Sequence, residues 1–359
     1  MRTRVGVSSW AFLADERWRR GKKYSSPDGS ILYMYALVHG LLERGYEVVW
    51  LMPDRDEEFV KMKGTDAFSA FSQEKRVKAY YATEKTHHII TKDRIVPMWP
   101  DVDFVIHEFR MQTPRNVLPI NASEYDPDLF LQESLIRYYT EKNVPILCFD
   151  SDYKMDPKKD DAQFTFVFDF GNKRGKKHHL DLPIYIEDLL QFEMLEPHQE
   201  IAYVGNRYER DGAFQKFLGK GTQDITYHVY GNWLERNRNS KELWPHIQFH
   251  KRIHPNQIHK AYQHSLAVPL ILRDDYNLHG VMTMRVAESL LFGTIPLLPT
   301  DFLSDQYQLI RIKNEEDMLN TVRNGFSHLP TRRLMRKRII ESLEFRDVKY
   351  ILPQILSKL

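Results

Sequence analysis

Cysteine is almost absent from this chain. Cys148 stands alone among 359 residues, which excludes an intramolecular disulfide and any cysteine-rich zinc site. Long hydrophobic runs are missing as well. The longest, such as Leu266 to Leu272, fall far short of the ~20 residues that a membrane helix needs, so no membrane association is expected. Met1 to Trp10 passes straight into a strand-like run without a secretory apolar core, which points to a cytoplasmic protein. There is no excess of one charge either: 51 Lys and Arg stand against 49 Asp and Glu, a formal net charge of +2. That balance excludes a histone-like nucleic-acid coat and leaves room for local basic patches. No repeat of fixed period and no low-complexity segment interrupts the chain. What is there is ordinary globular material, 42% hydrophobic and 28% charged. At ~150 residues per domain its length favours two domains, each with a full core.

The first sixty residues read as strand, loop, helix and strand. Arg4 to Trp10 is a short apolar strand, and a polar loop from Ala14 to Gly29 follows it. Ile31, Met34, Tyr35, Val38, Leu41 and Leu42 recur at helical spacing until Gly45, and Glu47 to Met52 is the next strand. That order calls for a right-handed crossover and a parallel sheet. The alternation continues with strands at Asp103 to Phe109, Val144 to Phe149 and Phe164 to Phe170, and a helix at Leu129 to Glu141. A charged, glycine-containing stretch from Gly171 to His179 and the Pro183 segment read as a hinge between two α/β halves. The second half repeats the logic: strands at Ile201 to Val204, Ile225 to Tyr230, Leu266 to Leu272 (broken at Pro269) and Ile295 to Leu298; helices at Ala213 to Leu218, Thr283 to Phe292 and Asn314 to Gly325. Thr331 to Leu359 is basic and helical except at Pro353.

Parallel sheets bind ligands beyond their carboxyl ends, so polar residues just past strand ends are the candidates. Asp150 follows the apolar run Val144 to Phe149 directly, and a carboxylate there can act as a general base or cap a turn. Gly205 to Gly212 joins a strand to a helix and carries Arg207 and Arg210. Glycine admits a close phosphate and arginine adds a bidentate charge, although a solvated turn would have the same composition. The stretch is neither a dinucleotide fingerprint nor a Walker loop. Arg285 and Glu288 share a helix face, where they either hold a pyrophosphate and a ribose or form a local ion pair. The loop with Arg17, Trp18, Arg19, Arg20, Lys22 and Lys23 mixes positive charge with an aromatic ring; it suits a nucleic-acid backbone contact or a solvated surface loop. His246, His250 and His254 are bracketed by Pro245 and Pro255, which argues against one helix and against a metal site.

In order and spacing these pieces resemble the DNA β-glucosyltransferases of T-even bacteriophages. The likeness runs from the first strand to at least Gly325. It is carried by Tyr230-Gly231-Asn232, by Leu266 to Leu272 with Asp275-Tyr276-Asn277, and by Met284-Arg285-Val286-Ala287-Glu288. The helix leading into Gly293-Thr294-Ile295-Pro296 is shared more widely by retaining GT-B enzymes and sets only the superfamily. The resemblance implies a GT-B fold, two Rossmann-like α/β domains facing a central cleft. Residues 1–180 would bind acceptor DNA, 181–335 the nucleotide sugar, and 336–359 would be a helical segment returning to the first domain. It further implies an inverting enzyme that moves a sugar, glucose from UDP-glucose, onto the hydroxymethyl group of 5-hydroxymethylcytosine in duplex DNA. Base flipping would present that group, and Mg²⁺ is a candidate assistant. The setting would be the cytoplasm of an infected host cell, with no obligate protein partner.

Residue by residue, the resemblance makes Asp150 the base and Arg285 the diphosphate ligand. Glu288 becomes the ribose ligand, Ile253 a backbone grip on uracil, and Tyr230 and Gly231 part of the uridine pocket. The turn after Gly205 becomes the phosphate loop, with the choice between Arg207 and Arg210 left open. The family also has an acid at the start of the first helix that places the sugar. Gly29 falls there, with Asp28 one residue earlier. The basic loop from Arg17 to Lys23 is the candidate DNA contact. The rival reading is a GT-B enzyme acting on a polysaccharide, lipid or small molecule.

Overall fold

Six strands of the N-terminal region line up in parallel, their residues largely apolar, as a sheet covered by helices requires. In chain order these and their neighbours are β1 (Arg4–Ser8), α1 (Ile31–Glu43), β2 (Glu47–Pro53), β3 (Val77–Ala82), β4 (His87–Thr91), β5 (Arg94–Pro97), β6 (Phe104–Glu108), a helical stretch α2 over 135–141, β7 (Ile146–Asp150) and β8 (Phe166–Asp169). Strands β6 and β7 are buried along their whole length. The sheet has six strands in the order β3-β2-β1-β6-β7-β8, every pairing parallel, while β4 and β5 form a separate antiparallel pair. The computed structural model describes residues 3–8, 31–53, 77–82, 87–91, 94–97, 99–109, 135–150, 155, 164–169, 183–190, 192–207, 209–234, 239–251, 253, 257–303 and 308–359.

The remainder comprises β9 (Glu200–Val204), α3 (Asp211–Leu218), β10 (Thr226–Tyr230), α4 (Ser240–Leu243), β11 (Ile247–His250), α5 (Ile258–Tyr262), β12 (Val268–Pro269), α6 (Asp274–His279), α7 (Arg285–Leu291), β13 (Pro296–Pro299), β14 (Ile310–Ile312), α8 (Glu315–Gly325), α9 (Leu329–Ser342) and α10 (Val348–Leu356). Its strands form two three-stranded parallel sheets, β11-β10-β9 and β12-β13-β14. They meet at buried Ser265. Its hydroxyl accepts from Ala202 N at 2.9 Å and donates to Ala267 O at 2.8 Å, while Leu266 N donates to Glu200 O at 2.9 Å. Across that seam the order is β11-β10-β9-β12-β13-β14. Leaving out the β4–β5 pair, both sheets therefore share the Rossmann order, third-second-first-fourth-fifth-sixth, with the chain reversing direction at β1/β6 and at β9/β12.

The described residues fall into two compact units. One holds the first sheet with 33–184 and 348–359, and the other holds 185–347. The last helix, α10, belongs to the first unit. Gly40 of α1 is where it crosses: a Cβ there would stand 2.9 Å from Val348 Cγ2. The hinge expected before Pro183 lies outside the described residues.

Two expectations are corrected. The strand read over Leu266 to Leu272 shortens to Val268–Pro269, because Pro269 lacks the N–H that would continue the ladder. Pro353, read as a helix break, sits inside α10. A proline there frees the carbonyl four residues back, and that Lys349 oxygen accepts from Arg44 Nη2 at 3.3 Å.

Candidate active site

In the second unit, three segments meet at the carboxyl end of the β9/β12 switch point, where a doubly wound sheet binds its ligand. Gly205 follows β9, and its N–H donates to Tyr230 O at 2.9 Å. Gly231 follows β10 at φ +142, and a Cβ on it would come within 2.2 Å of the Gly205 carbonyl, so only glycine fits. Trp233, fully buried, donates its indole N–H to Gly205 O at 2.6 Å. Asn206 Oδ1 accepts from Asn232 N at 3.1 Å and ties the two turns together.

Arg285 opens α7 and reaches this corner. Both of its terminal nitrogens would lie 3.0 Å from a Cβ at Gly205, and its guanidinium carbon sits 5.0 Å above the Tyr203 ring. Nη1 is buried and has no hydrogen-bond partner among the described residues, and the same holds for Thr283 Oγ1 two residues earlier. Burial works against the arginine's charge, but Tyr203, Tyr262 and the Glu288 carboxylate outweigh it and hold the pKa above its ordinary value. A shielded cation with an unsatisfied donor beside a glycine turn is an anion site in waiting.

The two arginines of the turn differ. Arg207 grips Asp211 through Nε at 2.8 Å and through Nη2, while Nη1 donates to Asn239 Oδ1 at 3.1 Å and Ser240 Oγ at 3.0 Å. Its guanidinium also stacks on Trp244 at 5.2 Å. Arg210 caps α3 and donates to Asn206 O at 3.1 Å. Between them Glu209 holds a left-handed φ of +46, and its carboxylate meets Arg273 Nη2 at 3.1 Å. Arg273 also binds Asp275 at 2.9 Å, so the phosphate-loop candidate is clipped to the segment after β12.

Tyr230 is half-buried at the end of β10 and stacks on His250 with ring centroids 4.4 Å apart. Burial and the Glu200 carboxylate raise its phenol pKa, while burial and His228 lower that of His250. His228 Nδ1 lies 2.9 Å from His250 Nε2. Glu288 is half-buried one turn beyond Arg285, and Ile253 is half-buried just after β11. Thus Gly205, Arg210, Tyr230, Gly231, Arg285 and Glu288 belong to one unit and one end of its sheet.

Asp150 belongs to the other unit. It closes β7, is fully buried, and its Oδ2 accepts from Met155 N at 2.9 Å, a turn-capping bond. One strand nearer the switch point, β6 ends in His107 and Glu108, also buried. Glu108 was not singled out from the sequence, and the signal for it is the strand order, which puts β6 beside β1. Tyr203, Tyr262, Thr283 and Arg273 were missed for a similar reason: nothing local marks them. Asp28, Gly29, Arg17, Trp18, Arg19, Arg20, Lys22 and Lys23 lie outside the described residues. Among the described residues no group of three or more His, Cys, Asp or Glu side chains could hold a metal ion. No helix among them is long and apolar enough to cross a membrane.

No protein-family model matches the chain, and no curated protein matches it in sequence. Solved structures do. An α-glucosyltransferase bound to UDP and a 13-mer DNA with a central A:G mismatch superposes with a TM-score of 0.61 at 11% identity, covering 99% of this chain and 98% of that one. The same type of enzyme with UDP-glucose and DNA containing an abasic site gives 0.61 at 10% identity, with 99% and 98% covered. The T4 phage β-glucosyltransferase with its UDP-glucose substrate gives 0.53 at 13% identity, over 99% and 96%. What the chain shares with them, end to end, is the GT-B fold of phage glucosyltransferases.

Proposed function

We propose that the protein is a glycosyltransferase that moves a sugar, glucose, from a UDP-sugar onto the hydroxymethyl group of a modified pyrimidine, 5-hydroxymethylcytosine, in duplex DNA. The observation that carries the donor half is Arg285, whose buried Nη1 has no partner among the described residues beside a turn that only glycine can form. A diphosphate supplies the missing acceptor and gains charge as the glycosidic bond breaks, so the arginine binds the leaving group more tightly in the transition state than in the ground state. Arg210 is the second cation in this reading, since Arg207 is committed to Asp211, Asn239 and Ser240. Glu288 accepts from the ribose hydroxyls, and Tyr230, Gly231 and the Ile253 backbone frame the uracil. The neighbouring folds support a DNA acceptor: they include glucosyltransferases bound to UDP, UDP-glucose and DNA. On the acceptor side Asp28 or Gly29 would help place the sugar. The basic run with Arg17, Trp18, Arg19, Arg20, Lys22 and Lys23 would contact the strand, by its charge and its aromatic ring.

A carboxylate at the carboxyl edge of the first sheet takes the hydroxymethyl proton as that oxygen attacks the anomeric carbon, UDP leaves, and the configuration inverts. Asp150 is the assignment drawn from the sequence. A second reading places this role on Glu108, favoured because β6 borders the switch point. Replacing the true base, Asp150→Asn or Glu108→Gln, should slow transfer by about 10²–10⁴-fold while UDP still binds. The deciding assay offers UDP-glucose to hydroxymethylcytosine DNA and to unmodified DNA and reads the product by NMR. A β-linked sugar on the modified DNA alone is the expected result. An α-linkage would replace the single displacement, and turnover on a glycan with neither DNA would replace the acceptor.

A further inference from the structure

The β11-β10-β9 sheet carries a line of acid–base groups on one face. Tyr203 and Phe249 pack on Trp233, so Glu200, His228, Tyr230 and His250, at the alternate positions, share the opposite face, where all four are half-buried. His228 turns Nε2 to Glu200 Oε2 at 3.5 Å and Nδ1 to His250 Nε2 at 2.9 Å. His250 in turn stacks on Tyr230, with ring planes 15° from parallel. A carboxylate only accepts, so the proton of a neutral His228 ring belongs on Nε2, and its Nδ1 is left as an acceptor. That acceptor calls for the His250 proton on Nε2, which makes His250 Nδ1 an acceptor as well. Its direction follows from the register. His228 pairs with Gln248, two residues before His250. The two nitrogens of an imidazole point nearly opposite ways. With Nε2 turned back toward His228, Nδ1 faces the carboxyl end of the sheet, where Gly231 follows β10 and Ile253 follows β11. Among the described residues no hydrogen bond reaches it.

Resting on the donor reading above, we propose that His250 selects the base of the nucleotide: its Nδ1, kept free of a proton by the Glu200–His228 relay, accepts the N3 proton of uracil. Cytosine has an acceptor at N3, and two acceptors facing each other in a half-buried pocket leave both without a partner. His228 and Glu200 are positioning residues, since they act on the base only through His250. The advantage is preorganisation: a tautomer fixed before binding costs nothing to select when the ligand arrives. Burial and His228 hold the His250 pKa below its ordinary value, which keeps the ring neutral and its lone pair available at pH 7. Burial and the Glu200 carboxylate raise the Tyr230 phenol, so the ring stacked on His250 is neutral too. The remaining titratable neighbour is His198, whose Nδ1 shares the Glu200 carboxylate at 3.8 Å and leaves Oε2 to His228.

Calorimetric or competition binding on the full-length protein compares UDP with CDP, which differ only in the base. The parent should prefer UDP. His250→Phe keeps a ring for Tyr230 and removes the acceptor; it should weaken UDP by about three- to tenfold, the scale of one hydrogen bond, and leave CDP within about twofold. His228→Phe should lower the UDP-to-CDP ratio in the same direction, and His228→Asn, whose amide oxygen falls near the place of Nδ1, should restore it. Nitrogen-15 NMR of the histidine rings reads the tautomer directly, and the parent's His250 should carry its proton on Nε2. A ratio in His250→Phe or His228→Phe equal to the parent's overturns the proposal, as does an equal loss of both nucleotides or a His250 proton found on Nδ1. If His250→Phe does not fold, the ring spectrum of the parent and the His228 pair decide the matter. A parent that binds neither nucleotide removes the donor reading and this inference with it. A UDP preference that survives His250→Phe, while Arg285→Ala loses UDP, overturns the base selector alone.

Discussion

Arg207 and Arg210 stand three residues apart in one turn and do different work. Every nitrogen of the Arg207 guanidinium has a protein acceptor, and Trp244 covers its face. Arg207→Ala should therefore cost stability, about 1–2 kcal/mol by denaturant unfolding, with UDP affinity changed by no more than about twofold. Arg210→Ala should do the reverse, weakening UDP and barely moving the unfolding midpoint. The sequence shows two arginines in a polar turn and nothing that separates them. The difference arises from Asn239 and Ser240, more than thirty positions away, which the fold brings to one of the two. By contrast, Gly205 and Gly231 were legible as candidates, because a glycine at a strand end is a local signal with a local cause.

Elements are joined by single side chains that a periodicity reading passes over. Ser265 bridges β9 to the segment entering β12, where two sheets would otherwise have a gap in their bonding. Ser265→Ala strands the buried Ala202 N–H and should cost about 1–3 kcal/mol, read as a lower unfolding midpoint with unchanged slope. Helix α9 lies in the stretch read as basic and helical, and its Arg332 and Arg336 face inward, donating to the carbonyls of Leu195, Ser265, Leu189 and Leu290. Arg336 thereby caps the last turn of α7, and burial pulls both arginines down to about 10. On the sheet beside the site, His250 is held below its ordinary pKa by burial and by His228. The unfolded chain therefore binds a proton there before the folded one does. Stability from this residue is complete above the unfolded value near 6.5 and is lost as pH falls through the lower folded value. Thermal melts from pH 7.5 to 5 should show a declining midpoint, and His250→Gln should flatten the decline.

At the scale of the molecule, α10 belongs to the first unit although it follows the second in the chain. Val348, Ile351, Leu352 and Ile355 are buried, and each such side chain contributes about 1.5–3 kcal/mol when removed from water. Deleting 348–359 should therefore destabilise the first unit. Calorimetry should show one transition moving down in temperature while the 185–347 unit melts as before. The alternation of strand and helix, the absence of membrane spans among the described residues and the two α/β halves followed from the sequence alone, because hydrophobic period and turn residues act within a few positions of themselves. The order of the strands did not. It decides which acid stands nearer a switch point, Glu108 on β6 rather than Asp150 on β7, and which arginine is left with an unsatisfied donor. Those are properties of neighbours brought together across the chain. Local composition names the residues able to do chemistry, and only tertiary packing determines which of them are already engaged by the protein and which remain to bind a ligand.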